Sequence, residues 1–433
     1  MERYTEYKYS GVQWLGEIPS HWGMERWRYL MNENIIKNSD CNIRLQLQFR
    51  YGDIVRKADQ SEEPDVLDTI SKYTIVEPND IMINGLNLNY DFVSQRVAQV
   101  KEEGVITSAY ISLRPTQIAN SKYYTYFLKS MDAKKMFHGM GTGIRLTLSY
   151  NELKNQFIPK PSIKEQEAIA NYLDSATSKI DKAIAQQQKM IDLLNERKQI
   201  IINNAITKGL TPKVSLKDSG IDWIGMIPEH WETIRLGFCS WIRARLGWKG
   251  LKANEYVDNG YAFLSAFNIQ NNQLVWEPLN FINKFRYDES PEIKLKVGDI
   301  LLVKDGAGIG KCARVDSMPK GEATANGSLA FISPGEKMHY RYLYYFIISN
   351  SFRKYTELLI NGMGVPHFTQ GEMKKVKVPL PPKDEQIVIA DFLDSKVEKI
   401  NKTINHYQIQ ISFLQERKQI IINDVVTGKV KVV

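Results

Sequence analysis

Cysteine is scarce. Cys41, Cys239 and Cys312 lie far apart in 433 residues and form no CxxC pair, which excludes a disulfide framework and a zinc ribbon. The six histidines include no HxxxH or HExxH spacing, so nothing reads as a metal site. No apolar run approaches the ~20 residues of a membrane span. The opening Met1-Glu2-Arg3-Tyr4 lacks the apolar stretch of a signal peptide. Catalytic signatures are missing too. No Asn- or Asp-Pro-Pro-aromatic tetrapeptide of a methyltransferase occurs. Lys304-Asp305-Gly306-Ala307-Gly308-Ile309-Gly310-Lys311-Cys312 fails as a P-loop, with Asp305 where Gly belongs and Cys312 where Ser or Thr belongs. It fails as a dinucleotide loop because Cys312-Ala313-Arg314-Val315 reads as a returning strand, so a glycine hairpin is the simpler reading. Glu152-Leu153-Lys154 and Glu292-Ile293-Lys294 supply only the ExK half of a nuclease signature. The expectation is a soluble, reduced, cytoplasmic protein in which these catalytic signatures fail.

Repetition is what the chain does have. Ser10-Gly11-Val12-Gln13-Trp14-Leu15-Gly16-Glu17-Ile18-Pro19-Ser20-His21-Trp22 returns as Ser219-Gly220-Ile221-Asp222-Trp223-Ile224-Gly225-Met226-Ile227-Pro228-Glu229-His230-Trp231. Tyr126-Phe127 matches Tyr345-Phe346, and Glu196 to Asn203 recurs letter for letter as Glu416 to Asn423. The offset drifts from 209 to 220, placing an insertion in the second copy mostly before Tyr345. Such a period is too long for a solenoid, whose units run ~20–50 residues, and indicates duplication of a whole unit. His21 and His230 stand at matching positions beside a tryptophan, which points to a structural role at each domain start.

Each copy ends in a polar helix with a heptad seam. Leu173, Thr177, Ile180, Ile184, Gln187, Ile191, Leu194, Lys198, Ile201 and Ala205 follow a 4-3 spacing. Leu393, Val397, Ile400, Ile404, Tyr407, Ile411, Leu414, Lys418, Ile421 and Val425 repeat it. Prolines bar helix upstream, Glu165 and Asp384-Glu385 favour the starts, and Gly209 and Gly428 mark the ends. Roughly 40 residues span about 60 Å. The connectivity predicts an antiparallel pair within one chain, with two globular domains at opposite ends in a pseudo-two-fold repeat. An alternative is that each helix pairs with another chain's copy as a dimerisation stalk. The boundaries are 1–157 and 209–377 for the globular domains, and 158–208 and 378–433 for the helical spacers.

The helices carry +2 of the net charge of +8, leaving the rest on the globular parts. Thr233–Asn254 holds Arg235, Arg243, Arg245, Lys249 and Lys252 without an acid, interleaved with Phe238, Trp241 and Trp248. Ala133–Asn151 holds Lys134, Lys135 and Arg145, again without an acid. Cations among aromatics and amides suit phosphate tracking and base reading, and equally suit the ordinary surface of a basic protein. The DNA-reading candidates in the first copy are Gln48, Arg50, Asn84, Asn87, Asn89, Arg96 and Arg145. In the second they are Arg243, Arg245, Lys249, Asn268, Lys304, Lys311, Asn326 and His367. Asn and Gln match adenine edges, and Arg or Lys match guanine.

Taken together, the chain resembles the specificity subunit of type I restriction-modification systems over nearly its whole length. The resemblance rests on the paired Pro-x-His-Trp openings and on Gly139-Met140-Gly141 with Gly362-Met363-Gly364. It rests also on Ile158-Pro159-Lys160-Pro161 with Glu165-Gln166, on Val378-Pro379-Leu380-Pro381-Pro382 with Glu385-Gln386, and on the Glu-Arg-Lys-Gln-Ile-Ile helix ends. The resemblance implies an α+β chain: two α/β target-recognition domains and two long helices forming an intramolecular coiled coil. Each domain would read one half of a bipartite double-stranded DNA site, and the helices would dock two modification subunits. S-adenosylmethionine, ATP and Mg would then belong to the modification and restriction partners. Asn79 to Tyr90 in the first copy replaces the glycine hairpin of the second, which predicts dissimilar half-sites. The competing readings are a stand-alone methyltransferase or nuclease, and a coiled-coil scaffold that ignores DNA.

Overall fold

A computed structural model describes residues 2–50, 52–58, 64–144, 146–245, 250–360 and 367–432. It divides the chain into two units, Met1–Gln188 with Gln408–Val433, and Lys189–Tyr407. Each long helix begins in one unit and ends in the other: the first is Ile163–Lys208, the second Lys383–Val426.

The first unit is organised on a four-stranded antiparallel sheet, in the order Met31–Glu33, Ile111–Pro115, Ile81–Ile83, Val97–Gln99. Ile81, Met82 and Ile83 are all buried, as expected of a strand covered on both faces. One face packs on the aromatic helix Ser121–Ala133, whose first turn is capped by the Asn120 side chain accepting the Tyr123 N–H at 3.0 Å. Trp22, Trp27, Tyr123, Tyr124 and Phe127 fill that core. Ile169 and Leu173 from the start of the first long helix, and Ile422, Val425 and Val426 from the end of the second, complete it.

The second unit repeats this plan with Ser240–Ala244, Leu329–Pro334, Ile300–Val303 and Cys312–Arg314 in the same order. Cys312–Arg314 is indeed a returning strand, and the preceding glycine run forms one tight turn at Gly306–Gly308. Trp231, Tyr342 and Phe346 form its core with Ile202, Ala205 and Ile206 of the first long helix and Ile389 and Leu393 of the second. Met31 and Ser240 open equivalent strands 209 apart, whereas Ile81 and Ile300 lie 219 apart, so the insertion falls between Ala244 and Ile300. Those residues build a second sheet containing Tyr256–Val257, Asn280–Ile282 and Tyr261–Leu264, closed by Ala323–Ala325.

Within each unit the two helix segments run antiparallel or meet as antiparallel partners would. In the first, Lys418 Nζ binds Asp181 at 2.7 Å and Gln187 Nε2 donates to Gln410 Oε1 at 3.2 Å. In the second, Lys198 Nζ donates to Asn401 Oδ1 at 3.0 Å. The seam follows the heptad reading: every seam position from Leu173 to Ala205 and from Leu393 to Val425 is buried or half-buried. Both helices end as expected, at glycines with φ of +71° (Gly209) and +75° (Gly428). A Cβ at Gly428 would lie 2.3 Å from the Pro19 ring and 3.0 Å from Trp22, so only glycine admits that close approach.

The Glu-Gln pair at each helix start fixes the helix to its domain. Gln166, fully buried, accepts the Asn120 N–H at 2.7 Å and donates to the carbonyls of Ile118 and Pro161 at 3.1 and 2.9 Å. Gln386 does the same with the His339 N–H and the carbonyls of Lys337 and Pro381. Glu165 and Glu385 receive the His-Trp pairs His21-Trp22 and His230-Trp231. The matched histidines are thus structural in setting. Glu152 of the first ExK triplet closes a capping box with Ser149.

Candidate nucleic-acid interface

In both units the sheet delivers one hairpin loop to the same seat. In the first unit it is residues 84–96, between Ile81–Ile83 and Val97–Gln99. Arg96 enters this loop from inside, only 1% exposed. Its Nη1 donates to the carbonyls of Asn84 (3.1 Å) and Leu86 (2.8 Å), and its Nη2 to those of Asn87 (3.5 Å) and Asp91 (2.7 Å). Asp91 folds the far end, its carboxylate accepting the N–H groups of Ser94 (2.9 Å) and Val93 (3.0 Å). Those bonds, from Ser94 foremost, outweigh burial and hold the Asp91 carboxyl at about 2. The loop is zipped to Leu146 and Leu148: Leu148 N–H donates to Gly85 O at 2.9 Å, and Leu88 N–H to Leu146 O at 3.1 Å. Asn89 Nδ2 adds a bond to the Ile144 carbonyl at 3.3 Å. His138 stacks on Phe92 at 4.7 Å.

In the second unit the seat holds residues 304–311. Phe368 N–H donates to Lys304 O at 2.8 Å, the counterpart of Leu148 on Gly85. The chemistry here is ionic. Lys304 Nζ lies 2.8 Å from Asp305, and His367 Nδ1 bonds the other oxygen of the same carboxylate. Burial pushes the Asp305 carboxyl up, but the bonds from Lys304 and His367 carry it below its ordinary value. Lys311 is exposed at the loop's end.

The predicted readers sort by burial. Four face inward and hold the domains together. Arg96 organises its loop as above. Arg243 is paired with Asp299 at 2.5 Å and lies over the rings of Trp241 and Phe331. Arg245, with its side chain 7% exposed, faces Glu289 at 3.6 Å. Asn268 donates to the carbonyls of Val275 and Pro278. A basic count cannot distinguish these from surface cations, because carbonyl groups supplied by a loop leave no charge signature. Asn84 and Asn326 brace their own turns, accepting the N–H groups of Leu86 and Ser328. Gln48 is half-buried on strand Leu47–Arg50, and Arg50 and Asn87 are exposed. Asn89, Lys304, Lys311 and His367 sit at the two seats. Arg145 and Lys249 lie outside the described residues, as does Gly362-Met363-Gly364.

What periodicity and charge miss is the apolar tip of the first loop: Tyr90 is 75% exposed, Val93 91% and, across the zip, Ile144 96%. Among the described residues no group of three or more His, Cys, Asp or Glu is arranged to hold a metal ion, and no helix is long and apolar enough to cross a membrane.

Two repeated domains each present a different loop on one scaffold, the arrangement of a two-part binding protein. The family model of the type I restriction modification DNA specificity domain matches residues 59–191 and 228–411, once in each copy. The MjaVIII specificity subunit of a type I restriction enzyme from Methanocaldococcus jannaschii is 28% identical over 368 residues, 84% of this chain and 81% of that protein. The putative MjaX specificity subunit from the same organism is 24% identical over 368 residues, again 84% of this chain and 81% of that protein. A chain solved for complex assembly and conformational transition of the type I R-M system aligns with a TM-score of 0.69 at 14% identity, covering 95% of this chain and 99% of that one. The chain belongs to the type I restriction-modification DNA specificity family. It is a specificity subunit, which recognises DNA sequence and leaves catalysis to other subunits.

Proposed function

We propose that the chain reads a bipartite, non-palindromic site in double-stranded DNA, one half with each unit, and directs adenine methylation or restriction by partner subunits in the cytoplasm. The observation that carries this is the shared seat with unlike contents. One backbone clamp, Leu148 on Gly85 and Phe368 on Lys304, supports a loop with an apolar tip in the first unit and an ionic one in the second. Loops of opposite chemistry on a common scaffold recognise different sequences. The reading residues we retain are Gln48, Arg50, Asn87 and Asn89 in the first unit and Lys304, Lys311 and His367 in the second.

Two modification subunits are the partners we assign to the long helices. Opposite the seam, Leu193 and Ile200 in the second unit are about half exposed, as are Phe413 and Ile420, their counterparts 220 residues on, in the first. Apolar side chains in matched exposed positions on two helices suit two copies of one partner. S-adenosylmethionine would be held by those subunits, and ATP and Mg2+ by restriction subunits.

Reconstitution with candidate modification subunits, followed by sequencing of methylated adenines, tests the reading. A single site of two different halves is expected. Exchanging residues 25–155 for another such domain should alter one half alone, and a change in both halves would refute modular reading.

A further inference from the structure

We propose that the tip of the first unit's loop is a wedge. In this assignment Tyr90 and Val93, with Ile144, whose carbonyl accepts from the Asn89 side chain, insert between adjacent base pairs of the bound half-site and unstack them. It rests on the DNA-reading role proposed above and adds the mode of contact.

Three observations support it. The first is exposure. Val93 and Ile144 are more than nine-tenths exposed and Tyr90 three-quarters. Aliphatic groups in water contribute nothing to the fold, so their placement on a built loop points to a partner. The second is stiffness. Arg96 binds four carbonyls of the loop from below, Asp91 ties Val93 and Ser94, and two backbone bonds join the loop to the segment that carries Ile144. Contact with a thymine methyl needs no such bracing. Forcing a base step apart does, because unstacking costs roughly a few kcal/mol and a soft loop would yield instead. The third is contrast. Among the described residues, the same seat in the second unit is lined by the ionic group Lys304, Asp305 and His367, so the scaffold accepts other contents beside this clamp.

The test uses the full chain assembled with its modification subunits and duplexes carrying 2-aminopurine at successive positions of the first half-site. A base step away from the methylated adenine should brighten on binding, reporting lost stacking. Val93→Ser with Ile144→Ser, both at exposed positions, should abolish that signal and weaken site-specific binding about tenfold. Val93→Leu should retain both. An unchanged urea midpoint of the free chain and unchanged assembly with the modification subunits should show that the variant is folded, because both positions are exposed. The wedge is overturned if the serine variant binds as tightly as the parent, or if it loses affinity when the parent shows no unstacked step. Absence of site-specific binding by the parent complex would instead remove the DNA-reading role on which the wedge depends.

Discussion

The indole N–H of Trp22 donates to Oε1 of Glu165 at 2.9 Å, joining the end of the Pro-x-His-Trp motif to the first turn of the long helix. Tyr4 donates to the same oxygen at 2.7 Å, and the His21 ring lies 3.2 Å from the other. Trp22 is fully buried. In the second unit Trp231 and His230 hold Glu385 at 3.1 and 2.9 Å. One carboxylate per unit thus gathers the domain's opening segment onto its helix, near the helix N-terminus where negative charge is favoured.

Glu165→Ala leaves the Trp22 N–H buried without an acceptor. A loss of about 3 kcal/mol is expected, read as a lowered urea midpoint for the first unit. Glu165→Gln, which keeps an acceptor oxygen, should recover part of it. Equal stability of the alanine variant and the parent would show that the contact contributes nothing.

The second unit should weaken in acid. Burial pushes the Asp394 carboxyl up, but bonds from Tyr345 (2.7 Å), Arg314 (2.6 Å) and Arg341 (2.8 Å) leave it below the ordinary value. A carboxylate with a lowered folded pKa stabilises fully above its unfolded pKa of about 3.9, and that contribution fades as pH falls through the folded value. Urea midpoints measured from pH 6 to pH 3 should fall, and Asp394→Asn should flatten that fall.

The seam and the outer face of the helices should respond differently to truncation. Ile191 and Ile404 are buried at seam positions of the second unit, whereas Ile200 is half exposed. Ile191→Ala or Ile404→Ala is expected to cost about 2–3 kcal/mol. Ile200→Ala should stay within about 0.5 kcal/mol. Denaturant titration of the three variants decides it.

Leu193→Glu and Phe413→Glu should leave the free chain's stability unchanged within about 0.5 kcal/mol. Each should remove one modification subunit from the assembly, and the double variant both. Mass measurement of the reconstituted complexes checks this, and full occupancy with both charges present would move the docking surface elsewhere.

Lys311→Ala should lower the salt dependence of DNA binding. If the exposed ammonium meets a phosphate, the slope of log affinity against log salt falls by about one. An unchanged slope removes Lys311 from the interface.

The helices were legible in the sequence because burial along a coil follows a 3.5-residue period that letters alone reveal. Gly209 and Gly428 were legible for a related reason, since helix ends demand a positive φ. The Glu-Gln pairs stood out as repeated letters, but their work was not readable: Gln166 serves three backbone groups contributed by residues 118–120 and 161. Arg96 and Arg243 looked like base readers because sequence shows charge and not its direction. Each turned inward, toward carbonyls in one case and Asp299 in the other. Tyr90, Val93 and Ile144 carry no signal of exposure, because apolar letters in a loop usually belong to a core.

The clamp that seats each hairpin is made only of main-chain atoms, from Leu148 to Gly85 and from Phe368 to Lys304. Almost any side chain between those anchor points is compatible with it, and so are loops of unequal length. On the function proposed above, mutation of a loop rewrites what one unit recognises and leaves the assembly surfaces as they were, so a new target sequence demands no redesign of the partner subunits.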